Sequence, residues 1–277
     1  MKTKKYSYSK LDSFNNCPLR YKFYYIDGLK KDDESIEAFL GKLIHSSLEW
    51  IYHQKIYNKV SYFSLDQIIN KFKYDWDEKW HDKIRLFQFK PPQKLSHFIN
   101  QKKMDYFTLG INTLVNYYSI YGPNFNDNVF KVEEKIEFKI DKFNFISILD
   151  RIDQQAPGSI KIIDYKTGKN VITEKKMLTN LQMIIYLFAV ESILPDIDRE
   201  NITLSFFYTR ENKEISIKGS EINYDGFKSK IIQNIELIES SEKENNFIPK
   251  ESNLCNWCYY WSECDRKNKE NPSLYLE

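Results

Sequence analysis

The chain predicts an α/β fold, a mixed β-sheet core flanked by helices. Three observations carry that expectation. Residues 143–168, FNFISILDRIDQQAPGSIKIIDYKTG, place two runs rich in Ile and Phe around a turn at Ala156-Pro157-Gly158, a β-hairpin pattern. Residues 129–140 alternate apolar and charged side chains, as a half-buried strand does. Residues 35–57 instead repeat apolar side chains at helical spacing, and further helices are expected at 178–194 and 225–245.

Bulk properties narrow the class. The 277 residues suffice for one large domain, and a formal net charge of +2 argues neither for nor against nucleic acid. The longest apolar run, Met183 to Val190, is too short to span a bilayer. Met1 to Lys10 is basic but is followed by no apolar stretch, so no signal peptide is expected. A soluble, cytoplasmic protein follows, with no membrane partner. Four cysteines in such a chain point to metal ligation rather than disulfides.

Taken in order, Ser9 or Asp12 would cap a short helix with Leu11, Phe14 and Cys17 on one side. In residues 35–57, Phe39, Leu40, Leu43, Ile44, Leu48, Ile51 and Tyr52 form the stripe. Gly41 interrupts it, which suggests a close backbone approach. His45 lies beside the stripe, as a core histidine or a ligand. Residues 58–125 read as a mainly helical insertion, broken at Pro91-Pro92 and closed by Gly122-Pro123. There Trp76, Lys79, Trp80 and Lys83 interleave rings with cations. That mixture suits single-stranded nucleic acid, and equally a packed helix with a solvated face.

In the next strand Val132, Glu134, Ile136, Phe138 and Ile140 share a face. Glu134 is then a carboxylate on an apolar face, and Glu133 takes its place if the register slips. In the hairpin, Ile146, Ile148, Asp150 and Ile152 share one face, and Ile160, Ile162, Asp164 and Lys166 the other strand's. Folding about Pro157 sets Asp150 opposite Asp164, with Cβ atoms about 4.5–5.5 Å apart. A divalent cation turns that repulsion into a binding site, and Lys166 beside it neutralises charge on a phosphate. Ordinary ion pairs with Arg151, Lys161 or Lys166 are the competing reading. Gln182 and Tyr186, four apart on the following helix, share a side. They would orient a ligand or the lysine, or pack as an interior pair. Strands follow at 202–208 and 213–218. Cys255, Cys258 and Cys264 need Cys17 to complete a four-thiolate cage for an iron–sulfur cluster or zinc. Such a cage would clasp residues 1–25 to 246–277, with Trp257, Tyr259, Tyr260 and Trp261 as its shield.

Together, Asp150-Arg-Ile-Asp153, Asp164-Tyr-Lys166-Thr-Gly168 and Gln182-x-x-x-Tyr186 resemble the RecB-like branch of the PD-(D/E)XK nucleases. Gly41-x-x-x-His45 resembles that branch's upstream helix motif. Cys17 with Cys255-x-x-Cys258-x5-Cys264 resembles its iron–sulfur members, the AddB-type nuclease domain and the CRISPR-associated Cas4-type exonucleases. The resemblance implies a single restriction-endonuclease-like domain over 1–277, with Mg²⁺ or Mn²⁺ on His45, Asp150 and Asp164. It implies Lys166 as the catalytic lysine, Gln182 and Tyr186 as supports, and a structural 4Fe-4S cluster on the four cysteines. Two departures stand out: Asp164 replaces the usual Glu, and Ser147-Ile148-Leu149 replaces a stretch that often holds glycine. The implied activity is exonucleolytic cleavage of single-stranded or end-frayed DNA in repair, recombination or defence. Without a GxxxxGK[ST] loop, a helicase motor would be a separate partner. A DNA-binding scaffold for such a helicase and an RNA-processing nuclease are the alternatives.

Overall fold

The computed structural model describes residues 4–87, 94–265, 271 and 273–276; the Pro91-Pro92 break lies outside them. The chain opens with β1 (Lys5–Tyr6), α1 (Tyr8–Asn16) and α2 (Pro18–Tyr21). Ser7, not Ser9 or Asp12, caps α1, and Cys17 sits in the extended link before Pro18 starts α2. Next come β2 (Glu34–Ser35), α3 (Ile36–Tyr57, capped by Ser35), α4 (Leu65–Lys79), β3 (Ile84–Phe87) and α5 (Leu95–Tyr121). Then follow β4 (Val129–Ile140), β5 (Phe143–Ala156), β6 (Ser159–Lys166), α6 (Glu174–Met177) and α7 (Leu181–Ile193). The chain continues through β7 (Ile202–Tyr208), β8 (Lys213–Lys218), α8 (Tyr224–Glu244) and β9 (Ser273–Tyr275). Among these helices none is long and apolar enough to cross a membrane.

The main sheet is mixed, as expected. β4, β5 and β6 form an antiparallel meander, α7 carries the chain over to β7 parallel to β6, and β8 returns antiparallel. Its two faces feed two cores. Ile160, Ile162, Leu204 and Phe206 pack with α7 and α8 on one side. Ile163, Tyr165 and Phe207 pack with α3, α4 and α5 on the other.

One local feature overturns the expected hairpin face. Val132 pairs with Arg151 and Glu134 with Leu149, and between them Glu133 adopts φ +48°. The pairing keeps one register on both sides of Glu133, and the register shift of this ladder lies between Val129 and Lys131. The left-handed residue nonetheless accompanies a reversal of the inward face: Val132 joins the core under α3, Ile136 the core under α7. Beyond it Phe143, Phe145 and Leu149 are buried, Ile146 is only partly covered, and Ile148 is 50% exposed. On the hairpin side Ile152 is buried as expected.

The insertion is core rather than platform. Trp76 is 2% exposed and packs on Phe39 and Phe72. Trp80 has Trp76 stacked on one side at 5.2 Å and the Lys103 amine 4.0 Å from its ring. Lys79 and Lys83 pair with Asp75 and Asp32. The rings are therefore spent on packing, which removes the stacking role from Trp76. β3 was not expected: it pairs with β2 and β9, partners remote in sequence.

Asp153 and Arg151 of the Asp150–Asp153 motif are structural. The Arg151 guanidinium donates to both Asp153 oxygens, at 2.6 and 2.5 Å, lies 3.2 Å from Asp127 and sits 4.1 Å over the Tyr52 ring. It is 2% exposed. Breaking a buried pair strands the other charge, so Arg151→Met is expected to cost about 3–5 kcal/mol in urea unfolding. The double variant Arg151→Met/Asp153→Leu should recover at least half of that loss.

Candidate active site

The site forms where the hairpin stops pairing. The ladder between β5 and β6 ends at Arg151 with Ile163, and one step further in the same register stand Asp150 and Asp164. There the Asp150 carboxylate accepts the Tyr165 N–H at 2.9 Å, so a side chain closes the ladder. On the other edge, the β4 register sets Glu133 opposite Asp150.

α3 reaches this point because Gly41 lets it. A Cβ on Gly41 would lie 3.0 Å from Thr167 Oγ1, just past the end of β6. One turn later His45 Nε2 stands 2.9 Å from the Tyr165 carbonyl and must donate to it. Nδ1 then faces Asp150 Oδ2, 3.3 Å away. A carbonyl that orients an imidazole in this way is the arrangement of metal-binding histidines. The left-handed backbone at Glu133 carries that side chain to the same point. His45, Glu133 and Asp150 each bring a donor atom within 4.8 Å of the others. Glu133 thus takes the place first assigned to Glu134, which lies 3.5 Å from Lys131.

Asp164 stands outside that trio and is held from the opposite side. Its Oδ1 accepts from Gln182 Nε2 at 2.7 Å and from the Tyr186 hydroxyl at 3.1 Å. Gln182 Oε1 accepts from Lys166 Nζ at 2.8 Å, which fixes the orientation of the amide. Lys166 Nζ also lies 2.5 Å from Asp164 Oδ2, an ion pair that offsets the charge on this oxygen. Every functional candidate of the hairpin and α7 is gathered here, and Lys166 is engaged rather than solvated.

The electrostatics follow from crowding. Burial first, then the Asp164 charge, pushes the Asp150 carboxyl up to about 6. Burial, then Asp150, Glu49 and Asp164, push Glu133 up to about 7. Glu49 was missed in the sequence, although it follows His45 by one helical turn. An imidazole nitrogen beside Asp150 and crowded acids fit a hard divalent cation such as Mg²⁺ or Mn²⁺.

The four cysteines line one cavity of about 310 Å³, between the α1–α2 link and residues 255–264. Tyr260 and Trp261 also wall it, and the Trp261 indole donates to the Cys255 carbonyl at 2.9 Å. Trp257 instead packs on Phe87 and is 44% exposed, and Tyr259 bonds the Ser35 N–H. Those two do not shield the thiols.

Residues 5–265 match the PD-(D/E)XK nuclease superfamily. A stretch of 75 residues is 35% identical to one of the subunits of the ATP-dependent helicase/deoxyribonuclease of Streptococcus pyogenes. It covers 25% of this chain and only 7% of that much longer protein. The fold is shared with the "Putative exonuclease" of Eubacterium rectale, whose crystal structure superposes with a TM-score of 0.52 at 14% identity. That likeness covers 96% of this chain and 90% of the other.

Asp150 and Glu133 hold protons in the folded chain at pH values where the unfolded chain has released them. Raised acids stabilise the fold at low pH, and that contribution is lost as pH rises through about 6 to 7. The metal-free protein is therefore expected to lose about 5 °C of Tm between pH 5 and 8. Asp150→Asn should flatten that slope. Added Mn²⁺ should raise Tm at pH 8 and leave it nearly unchanged at pH 5.

Proposed function

The chain belongs to the PD-(D/E)XK nuclease superfamily, and from that premise we propose that it is a divalent-metal-dependent deoxyribonuclease, acting as an exonuclease on single-stranded or end-frayed DNA. The observation that carries this reading is the linked set Asp164, Gln182, Tyr186 and Lys166 facing the trio His45, Glu133 and Asp150. A complete set of acids and amine is what phosphodiester hydrolysis needs, and it argues against a scaffold that has lost cleavage.

A cation held by His45, Asp150 and Asp164, with Glu133 beside them, would polarise the scissile phosphate and acidify a water. Lys166 supplies fixed positive charge for the oxygens that gain charge during attack. Gln182 aims the lysine by accepting its proton donor, and with Tyr186 it locks the Asp164 carboxylate. The Tyr165 carbonyl keeps the His45 lone pair turned inward.

The same reading gives the four thiols a 4Fe-4S cluster with a structural role. Supporting it, all four line one cavity. Similarity to a short part of a helicase/deoxyribonuclease supports a helicase partner and a role in DNA repair or defence.

Lys166→Ala is expected to lower cleavage of end-labelled single-stranded DNA in Mn²⁺ by at least about 100-fold. Its DNA affinity should stay near wild type, and normal cutting would remove the proposed chemistry. Purified without oxygen, the wild type should be brown. Cys258→Ser should lose that absorbance, and a colourless, zinc-loaded wild type would rule out the cluster.

A further inference from the structure

β5 shares one edge between two partners. It pairs with β1 through Asn144 and Phe145, and with β6 from Arg151 onward. Residues 146–150 of that edge have no partner strand among the described residues. A pocket of about 300 Å³ fills the gap, walled by residues 7–9, residues 146–148, and the Gln182 and Tyr186 side chains. It therefore opens directly onto the catalytic centre.

Two features of this pocket ask for an anion. Ser147 is only 5% exposed, lines the pocket, and its hydroxyl has no hydrogen-bond partner. A buried polar group left unpaired is costly, which implies a partner that arrives from outside the chain. Facing it is the N-terminus of α1. Ser7 uses its hydroxyl on the Lys10 N–H, and no acidic residue stands in the first turn. The N–H groups of Tyr8 and Ser9 have no acceptor within the helix and lie at its positive end.

Beyond this pocket the cations are already paired. Lys31 pairs with Glu263, and Arg85, 6% exposed, donates to Asp33 through both Nε and Nη2. The anion seat is therefore confined to the gap beside β5.

We propose that this pocket seats a backbone phosphate of the single-stranded DNA substrate, the one next to the scissile phosphate, between Ser147 Oγ and the α1 N-terminus. The inference rests on the nuclease reading above and adds where that substrate lies, away from the Trp76–Trp80 helix.

The test is fluorescence anisotropy with fluorescein-labelled dT12, using full-length protein carrying Lys166→Ala so that nothing is cut. Ser147→Ala should weaken binding about tenfold, as loss of one hydrogen bond to a charged group does. Its Tm should hold or rise, because the hydroxyl has no partner in the fold. Trp80→Ala should leave affinity unchanged. Equal affinity of Ser147→Ala and the parent overturns the seat. In parallel, the protein with Lys166 intact is assayed on thymidine 5′-(p-nitrophenyl phosphate) and on dT12. Hydrolysis by it alongside unaltered binding by the Ser147→Ala variant refutes only the seat. Failure to hydrolyse either substrate refutes the nuclease reading, and the seat with it.

Discussion

Three carboxylates stand in one row across three neighbouring strands, and the rest of the molecule is arranged around that repulsion. Glu133 on β4 lies opposite Asp150 on β5, which lies opposite Asp164 on β6. Like charges directly across a ladder destabilise a sheet. The fold keeps them by dividing the work. The Tyr165 N–H takes Asp150, Gln182, Tyr186 and Lys166 take Asp164, and Glu133 stands at a left-handed residue. What stays uncompensated is the crowding that raises the pKa of Asp150 and Glu133. A bound cation would relieve both.

Holding such a centre requires rigid walls, and the two cores supply them from opposite faces. α7 is apolar nearly all round, with eight consecutive buried residues from Met183 to Val190, so Gln182 is set at the rim by its own helix's burial. α3 is anchored equally deeply and brings His45 from the other face. Cys17, at the C-terminal end of α1, lines one cavity with Cys255, Cys258 and Cys264, while pairing of β1 with β5 sets the other end of α1 beside the acids' strand. One short helix thus runs between the cysteine cavity and the site.

Much of this was legible in the chain. The hairpin shifts register between Gln154 and Ala156, yet from Gln154 to Arg151 it runs in the register that counting outward from Pro157 gives. Strong periodicity gave β4, β7 and β8 to the residue and α3 to within one. Gly41 announced a close approach, and Thr167 is the neighbour. The failures share a cause: they depend on partners distant in sequence or on a single dihedral angle. No pattern marks Glu133 for φ +48°, so the inward face of residues 143–149 was assigned the wrong way. β1 and β3 are too short to carry a period and exist only through remote pairing. For Trp76 packing was the better of two readings, because composition cannot distinguish a ring that meets a base from one that meets Phe39.

The places where sequence rules broke down are neighbours in space, and that argues for their purpose. The left-handed backbone at Glu133, the ladder end at Asp150, the missing partner strand along 146–150 and the unpaired hydroxyl of Ser147 fall within a few residues of one another. Each alone is a defect that a stable sheet would avoid. β4 covers one edge of β5 along this stretch, while β1 and β6 both stop short on the other. Had either extended along β5, the edge beside the acids would be sealed. On the function proposed above, the gap they leave is what would give a phosphodiester access to the acids.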